Sequence, residues 1–447
     1  MKKFLPIIIL TIISSFLIFY RFADIPKYLS FDEVEFTKLA LSLDNKPYIP
    51  YSQLATGHST LYFYILLGSL KTFGVNTFAL RLPAAIFGVL SVLFFYLIMK
   101  KVFKQSNNET MKQWFPFILS LILLSSRWFL NFSRFSFEAT FLLFLELTSI
   151  YFLLKFDEVS KVKIPNFLRF DVFRQKISVS SFYIMLSGIF AGLTFLSYTP
   201  GRIFFLLPVG FLISKGYRQG NALSLQWNKH LLLFLIPFII IITPLTNYLI
   251  NNKDTRIDQQ FFLKNNEMSI QEKLTGLWYN TSSTALMFNV KGDVNGRHNY
   301  PLKPALNPIL GILFIIGLAI TMKSVFAKAS TDKQWNILFL VYFFLSIFPA
   351  LMTYPWENPN MLRTFTVLPS VIYFIGNAIY YLSTIVQRWS RNKKFVSFFL
   401  FLVVLISSFY ELRTYFKYQS KIFYDSFEIK WPLDKAIKLK DPYEKAP

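Results

Sequence analysis

Long runs of apolar residues recur along the whole sequence, and they restrict the fold more than any other feature. A helix needs roughly 20 mostly apolar residues to cross a bilayer. Only 16% of the 447 residues are charged, whereas soluble chains carry about a quarter. The sequence therefore predicts an all-α, polytopic membrane protein and excludes soluble enzymes, disordered chains and disulfide scaffolds. Eleven spans are predicted, at about 4–20, 82–99, 114–130, 138–154, 181–197, 203–214, 231–250, 308–322, 335–353, 364–386 and 395–410.

The composition removes further classes of function. The chain has no cysteine, which excludes thiolate metal sites, iron–sulfur clusters and cysteine nucleophiles. The formal charge of +23 could suggest nucleic acid, but no soluble basic domain is present to bind it. In a membrane protein, lysines and arginines in the loops set the orientation. A nucleic-acid partner is therefore not expected.

The distribution of basic residues predicts which loops lie on which side of the membrane. With the N-terminus inside, the inner segments carry 22 Lys and Arg in 79 residues, and the outer segments carry 25 in 182. Basic residues concentrate on the cytoplasmic side. We expect a cell-membrane protein with a cytoplasmic N-terminus and a site on the outer face, where loops 21–81 and 251–307 lie. Residues 1–410 would form the transmembrane domain, and 411–447 a short outer tail.

The first outer loop contains the adjacent acids Asp32 and Glu33. Ser30 followed by Glu33 is a capping box, so a helix is predicted to begin here and to lie in the membrane interface. The acids either favour this helix N-terminus or carry chemistry. A second aromatic, amphipathic stretch follows at 57–74. Its His58 is either a polar contact or a loop residue without a function.

Four arginines lie at the outer ends of predicted spans: Arg81, Arg134, Arg202 and Arg363. Each alone can extend to the interface. Together with outer carboxylates they suggest a pocket for a phosphate at the level of the bilayer. Glu138 begins an apolar run one turn after Arg134. It either pairs with that arginine or forms a second carboxylate in the pocket, and both alternatives stay open.

The second outer loop contains the polar sequence GDVNGRHNYPLKP. Its residues Asp293, Arg297 and His298 either contribute to a site or belong to a plain surface loop, and the two alternatives are equal. The sequence has no nucleotide-binding motif, and its three histidines lack metal-ligand spacing. Any transferred group must therefore arrive on something other than a nucleotide.

Six blocks in collinear order resemble one family of membrane enzymes. These are the bacterial glycosyltransferases related to dolichyl-phosphate-mannose protein mannosyltransferase and to the lipid A aminoarabinose transferase, which have the C-type glycosyltransferase (GT-C) fold. The blocks read IPKYLSFDEVEF, LYFYILLGSLKTFGVNTFALRLPAAIFGVLSVLFFYL, FSRFSFEAT, YTPGRIFFLLP, MFNVKGDVNGRHNYPLKPALNPILGILFIIGL and NPNMLRTFTVLPS.

The resemblance implies transfer of a sugar from a polyprenyl phosphate to a hydroxyl on a protein, lipid or glycan. It implies that Asp32 is the base with Glu33 beside it, that Glu138 is a second acid near the donor, and that Arg81 matches the arginine of the RLP block. Arg202 and Arg363 match their own blocks. With a sugar as the transferred group, we expect the second outer loop to close over the acceptor side, where Asp293, Arg297 and His298 could contact the sugar.

No cofactor is certain: the two adjacent acids could bind Mg²⁺ or Mn²⁺, but the nearest relatives do not imply a metal. The chain also departs from the family pattern, with DEVEFTKLA after the aspartate and GHST in place of paired prolines. These departures bear on the acceptor.

A lipid transporter or flippase is the alternative function. Transporters usually contain internal repeats with interrupted helices. No convincing repeat is seen, and the acids lie at the outer ends of the spans rather than near their centres, Glu146 excepted. The sequence thus favours an enzyme over a transporter.

Overall fold

The computed structural model describes residues 4–105, 109–160, 170–172, 175–177, 179–218, 225–327, 333–389 and 393–439. Within these ranges the regular structure is almost entirely helical. Two short antiparallel hairpins are added, β1 (Tyr51–Ser52) with β2 (His58–Ser59) and β3 (Phe170–Val172) with β4 (Gln175–Ile177). The helices are α1 (Leu5–Phe19), α2 (Phe31–Ser42), α3 (Leu61–Phe73), α4 (Thr77–Val102), α5 (Glu109–Ser125), α6 (Arg127–Phe132), α7 (Ala139–Ser160), α8 (Val179–Phe195), α9 (Leu206–Arg218), α10 (Leu225–Asn251), α11 (Thr255–Gln260), α12 (Ile270–Met287), α13 (Pro308–Phe326), α14 (Lys333–Leu351), α15 (Leu368–Trp389), α16 (Lys393–Arg413), α17 (Ser420–Ser426) and α18 (Leu433–Ala436).

The predicted architecture is confirmed: the protein is an all-α, polytopic membrane protein. Each predicted span overlaps one α-helix, except 114–130, which overlaps two. Among the described residues, six helices are long and apolar enough to cross a membrane, in α4, α7, α10, α13, α14 and α15. Shorter apolar helices occur in α1, α3, α5 and α8. The number of helices that actually cross stays a prediction, as do the sidedness and the domain boundary at 410.

Helices α4 and α7 pack in parallel, from the contact of Phe87 with Phe141 to the ion pair of Lys101 with Glu158 at the other end. The Thr140 hydroxyl donates to the carbonyl of Ala84, 3.0 Å away, which joins the N-terminal parts of the two helices. Helix α7 also packs on α8, α8 on α10, and α13 on α15. Small residues permit the closest approaches: a Cβ on Gly317 would lie 1.7 Å from the carbonyl oxygen of Phe374. Any side chain there would force α13 and α15 apart.

The prediction of one continuous helix at 114–130 is wrong. Helix α5 ends at Ser125, and α6 begins at Arg127, because the extended ψ of 124° at Ser126 interrupts the helix. The Arg127 side chain is buried and pairs with Glu411, 3.2 Å away. The break therefore brings an arginine into an enclosed ion pair with the end of the last long helix.

The C-terminal segment folds back on the first outer loop. Helix α16 continues through a π-helical turn at Thr414–Gln419 into α17. Leu29 and Ile429 then exchange two backbone hydrogen bonds of 3.0 Å each. Phe427 and Ile429 are buried. The segment after 410 is therefore packed against the loop that precedes α2.

Candidate functional site

The start of α2 directs its two adjacent acids to different places. The predicted capping box is confirmed: Ser30 accepts from the backbone N–H of Glu33 at 3.2 Å, and the Glu33 carboxylate accepts from the N–H of Ser30 at 3.1 Å. This capping turns Glu33 inward. Asp32, one position earlier, lines a cavity, and 40% of its side chain is exposed.

Glu33 is enclosed in a fully buried ion pair with Arg81. The Arg81 guanidinium donates to the two carboxylate oxygens at 2.7 and 2.9 Å, which is a bidentate geometry. Ser136 donates its backbone N–H to the same carboxylate at 3.1 Å. Arg81 also donates to the carbonyls of Pro26 and Tyr28. The pair therefore fixes the first outer loop to α4.

Asp32 faces a polar cavity of about 430 Å³. The Arg297 guanidinium donates to its Oδ2 at 2.7 Å, and both side chains are partly exposed. The second outer loop thus reaches the acid of the first. The walls of this cavity are formed by Asp32, Phe36, Ala55, Thr56, His58, Phe137, Tyr198, Arg256, Gln260, Asp293, Val294, Asn295, Arg297, His298, Trp356, Glu357, Asn360, Leu362 and Arg363.

Asp293 and His298 hold the second outer loop in place. His298 Nδ1 lies 2.9 Å from Asp293 Oδ2, which also accepts from the backbone N–H of Met361 at 2.9 Å. The Asn131 amide donates to the carbonyls of Arg297 and His298 at 2.7 and 3.1 Å. Three separate segments are therefore joined beside Asp32.

His58 lies between Glu138 and Arg256. Its Nδ1 is 2.8 Å from Glu138 Oε1, and its Nε2 is 2.5 Å from Arg256 Nη1. A guanidinium can only donate, so Nε2 accepts and Nδ1 carries the hydrogen given to Glu138. Burial lowers the pKa of His58 below its ordinary value, against the opposing effect of Glu138. The imidazole is therefore neutral. It links the carboxylate of Glu138 to the guanidinium of Arg256 by one hydrogen bond to each.

The structure does not form the pair of Arg134 with Glu138. The buried Arg134 side chain donates instead to the carbonyls of Leu17 at 3.0 Å and Ile18 at 2.6 Å. It also reaches the carbonyls of Arg21 and Ile25. The last carbonyls of a helix lack partners within the helix. Arg134 supplies donors to them at the end of α1, and Glu138 turns to His58.

A second, mainly apolar cavity of about 410 Å³ adjoins the polar one. The two share four wall residues: Tyr198, Arg256, Gln260 and Arg363. The other described walls are Thr199, Pro200, Arg202, Ile203, Ile257, Phe261, Lys264, Phe348, Pro349, Met352 and Thr353. These wall residues include four cations and no acid. The arrangement suits a molecule with an apolar chain and an anionic head.

The arginines in the walls of the two cavities are only partly paired. Arg202 bonds to Asp254, and Arg363 bonds to Glu357. The buried Nε atoms of Arg202 and Arg256 have no hydrogen-bond partner among the described residues. An unsatisfied buried donor costs about 1–3 kcal/mol.

Six predicted site residues therefore meet in the polar cavity: Asp32, His58, Asp293, Arg297, His298 and Arg363. Arg202 lines the apolar cavity. The described walls of the two cavities do not include Glu33, Arg81, Arg134 or Glu138. These four side chains are buried behind the site. The described residues contain no group of three or more His, Asp or Glu side chains that could hold a metal ion.

Arg256, Tyr198 and Trp356 were not among the predicted site residues. Arg256 follows the predicted span 231–250 closely, so the rule that selected the other outer arginines would also have found it. Tyr198 begins the short connection that contains Arg202, where an aromatic residue is common at an interface. Trp356 is three-quarters exposed and stacks on Tyr354, with 4.4 Å between the ring centroids. No sequence signal distinguishes it from an ordinary interfacial tryptophan.

Comparison with known proteins shows similarity in fold and not in sequence. No protein-family model matches the sequence, and no curated protein matches it significantly. The oligosaccharyltransferase AglB of Archaeoglobus fulgidus, solved with an inhibitory peptide and a dolichol-phosphate, is 16% identical with a TM-score of 0.53. The match covers 94% of this chain and 56% of AglB. The chain thus spans about half the length of that enzyme.

A second similar structure is ArnT of Cupriavidus metallidurans bound to undecaprenyl phosphate. It is 12% identical, has a TM-score of 0.50, and is covered over 76% of its length by 94% of this chain. At these identities the likeness shows the fold alone. The GT-C fold that the sequence blocks predict is confirmed.

Proposed function

We propose that this protein, which has the GT-C fold, transfers a sugar from a polyprenyl phosphate to a hydroxyl acceptor on the outer side of the membrane. One observation carries the proposal: the apolar and polar cavities meet at a cluster of arginines, and Asp32 lies in the polar one. A lipid-linked sugar has the same sequence of parts, an apolar chain, a phosphate and a polar head. AglB and ArnT, both solved with a polyprenyl phosphate, support this donor class.

Asp32 would act as the base. A carboxylate within hydrogen-bond reach of a hydroxyl can accept its proton as the hydroxyl attacks. Arg297 donates to Oδ2 of Asp32, so Oδ1 is the oxygen we assign to the proton. The acceptor oxygen then bonds to the anomeric carbon on the face opposite the phosphate. This single displacement inverts the configuration at that carbon.

Arginines at the junction of the cavities would stabilise the leaving group. The bond between the anomeric carbon and the phosphate oxygen breaks, and its electron pair stays on the polyprenyl phosphate. Donors already in place where charge develops are the most effective stabilisers. Arg256 and Arg363 line both cavities. No general acid is needed, because the phosphate leaves as a stable anion.

The test is donor turnover by the purified full chain in proteoliposomes. A panel of short-chain polyprenyl-phosphate hexoses and pentoses is supplied with an envelope extract of the source cell as acceptor, and free polyprenyl phosphate is measured. We expect Asp32→Asn to reduce turnover about 10²–10⁴-fold, the usual contribution of a general base. The matched control is Glu35→Gln on the same helix, where Glu35 pairs with Lys38 at 2.9 Å; its turnover should stay normal.

Two outcomes would contradict the proposal. Turnover retained by Asp32→Asn would exclude Asp32 as the base. Movement of the intact donor across the liposome without release of polyprenyl phosphate would indicate a flippase instead.

The outer location is tested by single-cysteine labelling. The chain has no cysteine, so each introduced thiol is the only one. Lys46→Cys in the exposed part of the first outer loop should react with a membrane-impermeant maleimide in intact cells. Lys323→Cys at the end of α13 should react only after lysis. The reverse pattern would place Asp32 on the cytoplasmic side and overturn the proposed orientation.

A further inference from the structure

The opposite ends of α4 and α7 form a second charged site, far along both helices from Asp32. A cavity of about 300 Å³ lies between them, lined by Leu97, Lys100, Lys101, Lys104, Tyr151, Lys155 and Glu158. Positions 97, 100, 101 and 104 follow the spacing that places residues on one helical face, and so do 151, 155 and 158. Two helical faces therefore converge with four lysines and one glutamate.

Glu158 accepts hydrogen bonds or ion pairs from three of these lysines. Lys101 contacts it directly, Lys104 is 3.1 Å away and Lys155 is 3.7 Å away. Lys101 and Lys155 also lie over the ring of Tyr151, at 5.7 and 6.0 Å. The carboxylate of Glu158 thus pairs with three ammonium groups. The fourth lysine, Lys100, lies over the ring of Tyr96 at 5.9 Å.

The charges at this cavity are not balanced by the described protein groups. Each helix C-terminus contributes roughly half a negative charge, so the two ends and Glu158 together offset about two of the four lysines. The excess is about two positive charges, brought together against their mutual repulsion. A phosphate group carries a compensating charge and accepts hydrogen bonds from several lysines at once.

We propose that this cavity binds the phosphate headgroup of an anionic membrane lipid in the leaflet opposite the Asp32 site. Basic pockets between helices at the cytoplasmic face are suited to such headgroups. Leu97 and Tyr151 lie one turn nearer the middle of their helices than the lysines do. The polar end of the cavity thus meets the headgroup layer, and its apolar end continues along the direction of an acyl chain. This site does not depend on the proposed sugar transfer.

The experiment uses the purified full chain in mild detergent, with phosphatidylglycerol and phosphatidylcholine as probes and native mass spectrometry as the measurement. We expect phosphatidylglycerol to be retained more strongly than phosphatidylcholine. The double variant Lys104→Gln/Lys155→Gln should weaken that retention about thirty-fold, because each lysine near an anionic headgroup contributes about fivefold. Lys104→Arg/Lys155→Arg should retain the lipid, which separates loss of charge from loss of folding.

The matched control removes two lysines from another connection on the same predicted side, in Lys323→Gln/Lys333→Gln. Its lipid retention should equal that of the unaltered chain. Equal loss in both double variants would overturn the proposal, because it would indicate diffuse attraction to the membrane surface. Competition by millimolar inorganic phosphate, with no preference for phosphatidylglycerol, would also overturn it and indicate a site for free anions.

Discussion

The adjacent residues Asp32 and Glu33 begin the same helix and have the same functional group, yet they belong to two different environments. Glu33 is fully buried and shares a bidentate pair with Arg81. Asp32 is partly exposed to the polar cavity and pairs with Arg297 from another loop. A buried pair costs desolvation and becomes costly when one partner is lost. A partly exposed pair can open with little change in stability. Mutation of Glu33 should therefore reduce stability much more than mutation of Asp32.

The largest expected effect on folding is at Glu33. Glu33→Gln leaves the buried Arg81 guanidinium without its counter-charge, and we expect a loss of about 3–5 kcal/mol in the free energy of unfolding. The measurement is unfolding of the detergent-solubilised protein with increasing SDS. Asp32→Asn is the matched comparison and should change that free energy by less than about 1 kcal/mol. Similar losses in both variants would remove the distinction between the two environments.

A smaller loss of stability is expected at His58, which is also buried behind the cavity. His58→Ala leaves Glu138 and Arg256 without their shared partner, which costs about 1–3 kcal/mol as unsatisfied buried groups. Donor turnover should fall as well, since Arg256 is no longer held at the junction. An unchanged KM for the donor together with unchanged stability would show that the contacts of His58 with Glu138 and Arg256 do not position Arg256.

The pH dependence of stability sharpens the same comparison. Burial lowers the pKa of His58 in the folded state. As pH falls through the ordinary histidine pKa of about 6.5, the unfolded chain takes up a proton that the folded chain does not. The contribution of neutral His58 is thus complete above that pH and is lost as pH falls toward the folded-state pKa. His58→Asn should lose less stability than the unaltered chain between pH 7 and pH 5, measured by the same unfolding assay.

The smallest effect on folding is expected at Arg297. Its pair with Asp32 is partly exposed, so Arg297→Gln should reduce the free energy of unfolding by about 0–1 kcal/mol. Turnover should change more than stability, because Arg297 contacts the proposed base. The control is Lys38→Gln, which removes an equally exposed pair on α2, outside the cavity. A large loss of stability in Arg297→Gln would place the Asp32 pair in the same class as the Glu33 pair.

These contrasts also explain what the sequence could and could not predict. Apolar length marks the spans because a bilayer imposes it locally, and the capping box at Ser30 is likewise local. The pairing of charged side chains is not local. Glu33 pairs with Arg81, 48 positions away, and Arg134 donates to carbonyls of α1. Resemblance to the GT-C family placed Asp32 and Arg363 near one site, but it also placed Glu33 beside Asp32 in that site. Only packing separates the two acids.

Two segments that support the candidate site lie far apart in the sequence, so the ribosome synthesises them at different times. Asp32 lies in the first tenth of the sequence, yet Leu29, three positions before it, exchanges hydrogen bonds with Ile429, 400 positions after Leu29. The loop that carries the candidate base thus gains this support only after residue 429 has been synthesised. Insertion of the preceding helices would therefore come before the loop that carries Asp32 is fully supported, and the polar cavity would take its described form only after the segment with Ile429 has emerged and docked.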